Sequence, residues 1–136
     1  MKEFSLKTHS RTEFVEITGQ VQEAVHVAGL TEGIVTVYVP HTTAGVTINE
    51  HADPDVVRDM DVVLDRMVPW EGGYRHAEGN TAAHVKAAMM GSSAQVIVRG
   101  GQLELGTWQG IFFCEFDGPR SRRVWLQGSE ESSRSL

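Results

Sequence analysis

The sequence predicts an α+β fold, on three observations. Short alternating or β-branched runs recur along most of the chain. Glycine-rich turns separate the later ones. Three helical segments with an apolar face or a capping residue are interspersed among them. At 136 residues, one domain is expected. We place it at residues 1–127, followed by a polar tail, 128–136, expected to be disordered because it has almost nothing to bury.

The elements follow in order. Phe4 and Leu6 alternate with Ser5 and Lys7, a strand signal, and Phe14-Val15-Glu16-Ile17 repeats it. Thr18 is placed to cap a helix reaching about Gly29, with Val21, Ala24, Val25 and Ala28 on one face. Gly33 to Val39 is β-branched and alternating, a strand that Pro40 ends. His41-Thr42-Thr43-Ala44-Gly45 reads as a turn, and Val46-Thr47-Ile48 resumes strand character. Asp53-Pro54 starts a helix, because Asp accepts from orphan amides and Pro tolerates the first helical position. Val56, Val57, Met60, Leu64 and Met67 give that helix an apolar side to about Val68. Pro69 to Gly79 has no period and reads as a loop. Asn80 caps a third helix, Thr81 to Met90, closed by Gly91. Gln95 to Val98, Leu103 with Leu105, Trp108 to Phe116 and Arg123 to Leu126 are the remaining strands, expected as an antiparallel meander.

Composition excludes several functions. Eighteen acidic against twelve basic side chains leave a net charge of −6, which disfavours a general nucleic-acid or anionic-membrane binder. No apolar run approaches the ~18 residues a membrane helix needs, and the opening residues show no apolar signal core. The single cysteine, Cys114, excludes an intramolecular disulfide framework and a cysteine-based zinc cluster. It suits a reducing cytosol, and its apolar strand predicts an inert thiol.

The chemistry is carried by histidine, arginine and carboxylate. His9 and His26 read as surface or packing residues, and His51 as a structural neighbour of the Asp53 cap. His41, His76 and His84 differ. His41 opens the Thr/Gly-rich turn, His76 lies in the long loop, and His84 sits one turn into the helix that follows it. That helix start offers free amides and a positive dipole to an anion. Three imidazoles from different segments suit either a zinc-type site with an open position or donors to phosphate oxygens; unrelated surface histidines are the plain alternative. Their spacing matches no standard zinc motif. Glu50 is a candidate ligand, orienter or general base, or simply a solvated charge. Arg120, Arg122 and Arg123 flank a Gly-Pro turn, and a guanidinium fork matches phosphate; otherwise they only decorate a hairpin. Trp108 suits core packing or a stacking surface.

These residues also carry a resemblance. His41-Thr42-Thr43-Ala44, Asn49-Glu50, Asp53-Pro54, His76, Gly79-Asn80 with His84, Gly91, Leu105-Gly106-Thr107-Trp108-Gln109, and Glu115-Phe116-Asp117-Gly118-Pro119-Arg120 with Arg122 stand in that order. From Phe4 to about Gln127 the chain resembles the YjbQ family of small bacterial and archaeal proteins, described as secondary thiamine-phosphate synthases. The resemblance implies a compact β-sandwich-like α+β fold of antiparallel sheets and a homotrimer. It implies a pocket near a subunit interface where the histidines, the Glu50 segment and the arginine turn converge, with metal ions or sulfate-like anions as occupants. The implied reaction joins hydroxymethylpyrimidine diphosphate to a thiazole phosphate and releases pyrophosphate. Arg120 and Arg122, with Asn80, are then expected to hold the anion. His41, His76 and His84 are expected as ligands of a divalent metal (Mg or Zn) or as donors, and Glu50 as their orienter. A metal-dependent hydrolase with a three-histidine site, and a non-catalytic trimer that binds an anionic metabolite or a partner protein, are the competing expectations.

Overall fold

A computed structural model of the chain describes residues 1–132, 134 and 136. Its strands are β1 (Lys2–Lys7), β2 (Glu13–Glu16), β3 (Glu32–Tyr38), β4 (Ala44–Glu50), β5 (Ser93–Arg99), β6 (Gln102–Leu103), β7 (Gln109–Glu115) and β8 (Ser121–Glu130). Its helices are α1 (Thr18–Ala28), α2 (Pro54–Met67) and α3 (Thr81–Met90). One sheet has the order β1-β8-β3-β5-β6 and the other β2-β7-β4, and every pairing is antiparallel.

The two sheets face each other across the main core. Val35 and Val37 of β3, Val96 and Val98 of β5, and Val124 and Leu126 of β8 meet Val46 of β4 and Ile111 and Phe113 of β7. Ile17, Val21 and Val25 of the α1 segment pack into the same cluster. Side chains alternate along a strand, so β7 turns Phe112 and Cys114 to its other face. There they pack with Phe116, Leu64 of α2, and Ala83 and Ala87 of α3. The smaller sheet is thus covered on both faces, which explains why β7 reads as a continuous apolar run rather than an alternating one. Cys114 lies inside this second layer, and burial pushes its thiol up to about 12, as an inert thiol requires.

Four local expectations are corrected. The C-terminal strands do not form a meander. β7 joins the smaller sheet, while β8 pairs with β1 and β3 in the larger one. Thr18 does not cap α1; its hydroxyl donates to Glu16 and accepts from the Ile111 amide, tying the helix to β7. Asn80 precedes α3, but its side chain makes no capping hydrogen bond. Disorder is expected from residue 128, but β8 carries Gly128, Ser129 and Glu130 alongside β3, and the Glu131 amide donates to the Glu32 carbonyl. Backbone pairing there needs no apolar side chains. The part of that expectation that falls on Ser133 and Ser135 lies outside the described residues. Asp53, by contrast, caps α2 as read, its carboxylate accepting from the Asp55 amide at 2.9 Å.

Candidate functional site

The end of the sandwich where β3 stops and the β7–β8 turn crosses over is open, and a cavity of about 730 Å³ lies there. Pro40 ends β3 and leaves His41 and Thr43 on its rim. Asp117 and Arg120 enter from the turn, Arg122 from β8, and Asn80 and His84 from the first turn of α3. The loop before α3 adds His76 and Glu78. That loop is pinned: Trp70 packs against the second core, the Arg11 guanidinium lies 4.2 Å from its ring centre, and Tyr74 donates to the Pro69 carbonyl. A tight turn then closes from the Gly79 amide to the His76 carbonyl at 3.1 Å, with Gly79 at a positive φ of 73° that favours glycine. The turn folds His76 back onto α3, and the His76 and His84 rings meet edge to face, centroids 5.4 Å apart.

A buried ion pair lies behind the cavity, with its Arg122 end on the wall. Glu115 is fully buried and shares its β7 face with Ile111 and Phe113. Arg122 extends the inward row of Val124 and Leu126 on β8 and meets it. Its Nε donates to one carboxylate oxygen at 2.8 Å and its Nη2 to the other, and Nη2 also donates to the Thr43 hydroxyl. Thr8 donates to the same carboxylate. Burial alone would raise the Glu115 carboxyl. The hydrogen bonds from Arg122, the Asp117 amide and Thr8 outweigh that and hold it below its ordinary range. Gly118 closes over this group, where an added Cβ would lie 2.3 Å from the Ser10 carbonyl oxygen and 2.9 Å from Glu115 Cγ. No larger residue fits there. Arg120, in turn, is held by Asp117 at 3.0 Å. Both expected clamp arginines therefore carry a carboxylate of their own.

His41 is fixed by the strand beside it. Its Nε2 accepts the Arg123 backbone amide at 2.9 Å. An amide N–H only donates, so the ring proton sits on Nδ1. Burial, then the charges of Arg122 and Arg123, lower its affinity for a second proton. His41 is a neutral imidazole with one donor to offer. As the ring stands, its Nε2 lone pair is engaged and Nδ1 bears hydrogen, so a metal ligated by His41 would displace one or the other. Among the described residues no group of three or more His, Cys, Asp or Glu side chains is arranged to hold a metal ion. Donation to an anion fits better. The amides of Thr81 and Ala82 at the start of α3 have no partner among the described residues, and the helix dipole adds to their pull.

Two candidates lie elsewhere. Glu50 does not join the cavity. Antiparallel β4 pairs Ala44 with Glu115 but Glu50 with Gln109. At ~3.4 Å per residue Glu50 is about 20 Å from the cavity end of its strand. Its carboxylate accepts from the Ala52 amide. Trp108 sits at that far end too, 63% exposed, so it neither packs in the core nor borders the cavity. His51, beside it, pairs through Nδ1 with Glu16 at 2.9 Å rather than with the Asp53 cap. The sequence motif contains Glu115 and Asp117 but gives them no role, and nothing in it marks the aromatic wall. Trp125 stacks on Tyr38 with centroids 5.7 Å apart and planes 12° from parallel, and both border the cavity. Their opposition across β3 and β8 is a matter of register, which local pattern does not encode.

Fold and site together define a single-domain α+β sandwich with a polar, histidine-lined cavity at one end of its facing sheets. Residues 2–131 match the family described as UPF0047 protein YjbQ-like. The chain belongs to that family. It is 52% identical to the UPF0047 protein YugU of Bacillus subtilis over 128 residues, covering 93% of this chain and 97% of that protein. It is 45% identical to a UPF0047 protein of Methanocaldococcus jannaschii over 91% of this chain and 90% of that one. A crystal structure of an uncharacterized YjbQ/UPF0047-family protein from Clostridium acetobutylicum superposes with a TM-score of 0.93 at 53% identity, covering 95% of this chain and all of that one. A hypothetical protein from Aeropyrum pernix gives 0.91 at 39% identity, over 96% and 98% of the two chains.

Proposed function

We propose that the chain is an enzyme acting on phosphorylated small molecules, and that its reaction is the one the family resemblance implies. In that reaction hydroxymethylpyrimidine diphosphate is joined to a thiazole phosphate. The bond from the pyrimidinyl methylene to the diphosphate oxygen breaks, the thiazole nitrogen bonds to the methylene, and pyrophosphate leaves with the electron pair. The observation that carries the reading is that His41, His76 and His84, from three separate segments, border one cavity, with His76 and His84 in contact beside the start of α3. Developing charge on a leaving diphosphate calls for donors held in place beforehand. Nδ1 of His41, the imidazoles of His76 and His84 and the amides of α3 supply them. Arg120 and Arg122 add partly neutralised charge and hold the cavity's shape. The Trp125 face, backed by Tyr38, is a flat surface for a heterocycle.

A divalent cation enters this proposal with the substrate's diphosphate rather than on ligands of the protein. We also propose a homotrimer working in a reducing cytosol. The family resemblance supports the first and the lone buried thiol the second. No helix of the described residues is long and apolar enough to cross a membrane. The net charge of −6 gives no support to a nucleic-acid partner.

The test is turnover by the purified protein, read as pyrophosphate release from the two substrates, with His84→Ala beside it. We expect the variant to lose at least about a hundredfold in rate, the scale of a positioned proton donor, with its circular dichroism and size unchanged. Absent turnover with saturable substrate binding retained would move the reading to a non-catalytic metabolite binder.

A further inference from the structure

The aromatic wall of the cavity is held by a strand that does not border it. Register sets Glu3 of β1, Trp125 of β8 and Tyr38 of β3 directly opposite one another, in one row across the larger sheet. Opposed residues share a face. Val124 and Leu126 turn to the core, so this row lies on the sheet's outer side. Tyr38 lies against one face of the indole, with the ring planes nearly parallel. Stacking restrains the tilt of a ring but lets it slide in its own plane. An indole has one polar atom for a second tether, its Nε1–H. That N–H donates to Glu3 Oε2 at 2.6 Å, a charge-assisted hydrogen bond. The same oxygen lies 3.8 Å from Arg123 Nη1, so the carboxylate also faces a positive charge. Tyr38 and Trp125 border the cavity and Glu3 does not, so Glu3 acts on a ligand there through the indole.

We propose that Glu3 is a positioning residue of the ligand site: it fixes the indole of Trp125 as the surface on which the ring of a phosphorylated heterocycle stacks. The edge strand β1 thereby takes part in ligand recognition. The proposal rests on reading the cavity as a site for such ligands. Its physical basis is order before binding. A large side chain free to move must be immobilised when a ring settles on it, and that entropy is subtracted from the affinity. Dispersion between flat rings also falls steeply once a gap of half an ångström opens. An indole tethered at its edge and backed on one face meets neither penalty. The anion end of the same ligand lies against the histidines and is not touched by Glu3. Loss of the tether therefore weakens the hold on the ring and leaves the hold on the phosphates.

The experiment is calorimetric titration of the purified full chain with two ligands, hydroxymethylpyrimidine diphosphate and ringless pyrophosphate. The ratio of their affinities reads the ring alone. We expect the unaltered chain to prefer the ring-bearing ligand. Glu3→Ala should cut that preference at least about threefold, the scale of ordering one large side chain at a binding surface, with pyrophosphate affinity held within about twofold. Glu3→Gln keeps an acceptor for Nε1 and loses the charge, so it should restore the preference to within about twofold. Trp125→Phe removes the donor and leaves Glu3 beside Arg123. It should lose the preference at least as far, and adding Glu3→Ala to it should lose no more. Should Glu3→Ala fail to fold, Trp125→Phe alone decides. An unchanged ratio in Glu3→Ala, an equal loss for both ligands, or a full preference in Trp125→Phe overturns the role of Glu3 and leaves the phosphate site standing. Failure of both ligands to bind the unaltered chain overturns the reading of the cavity and this inference together.

Discussion

Glu115 and Arg122 show how burial decides what one side chain is worth. Both are nearly sealed from water, and each satisfies the other, with Thr8 and Thr43 completing the hydrogen bonds. Such a pair adds little net stability compared with an apolar pair, but breaking it strands a charge. Arg122→Met should therefore cost about 3–5 kcal/mol in urea unfolding, and the double variant with Glu115→Leu should recover most of it. His41 gives a second prediction at this scale. Its folded-state pKa lies below the unfolded value of about 6.5, because burial and two arginines disfavour its charged form. The unfolded chain then binds more protons between those two values, so stability is fully present above about pH 6.5 and is lost as pH falls through that window. Unfolding midpoints measured from pH 7.5 to 5 should fall less steeply in His41→Gln than in the unaltered chain.

Among elements, the same ion-pair reasoning gives the opposite answer for Lys86. Its side chain is only 3% exposed between α3 and α2, but its partner Asp65 stays 64% exposed. Lys86→Met strands no buried partner at Asp65 and its chain fills a similar space, although the half-buried Asp61, whose carboxyl is already pushed up by burial and Asp65, loses the charge that opposes that rise. We expect a change within about 1 kcal/mol in the same unfolding assay. The contrast with Arg122→Met isolates the partner's burial as the deciding quantity. The elements themselves were legible wherever a local cause fixes them. Asp53-Pro54 announces α2, the β-branched run announces β3, and Gly91 follows α3, because capping, branching and backbone freedom act within a few residues. Thr18 and Asn80 misled for the converse reason. Each has the side chain of a cap, but a tertiary partner, the Ile111 amide or Asp117, claims it instead.

At the scale of the whole molecule, strand order governs the site. Local pattern pointed to His41, His76, His84 and the two arginines, and the family resemblance added Asn80. They share one cavity because β3 ends, β8 begins and α3 starts at the same end of the sandwich. Glu50 looked equally suitable along the chain, but antiparallel pairing carries it down the length of β4. Glu115 stayed hidden because a carboxylate in an apolar strand shows its purpose only when β8 brings Arg122 across the core. No local spacing encodes which strands are neighbours. The most direct test of the central claim, that the three histidines serve one anion site, is a phosphate titration followed through the imidazole Cε1–H proton resonances. The signals of His41, His76 and His84 should shift together along one binding curve, while those of His9 and His26 stay still. Phosphate that moves none of the three, or moves them with separate affinities, would contradict the account.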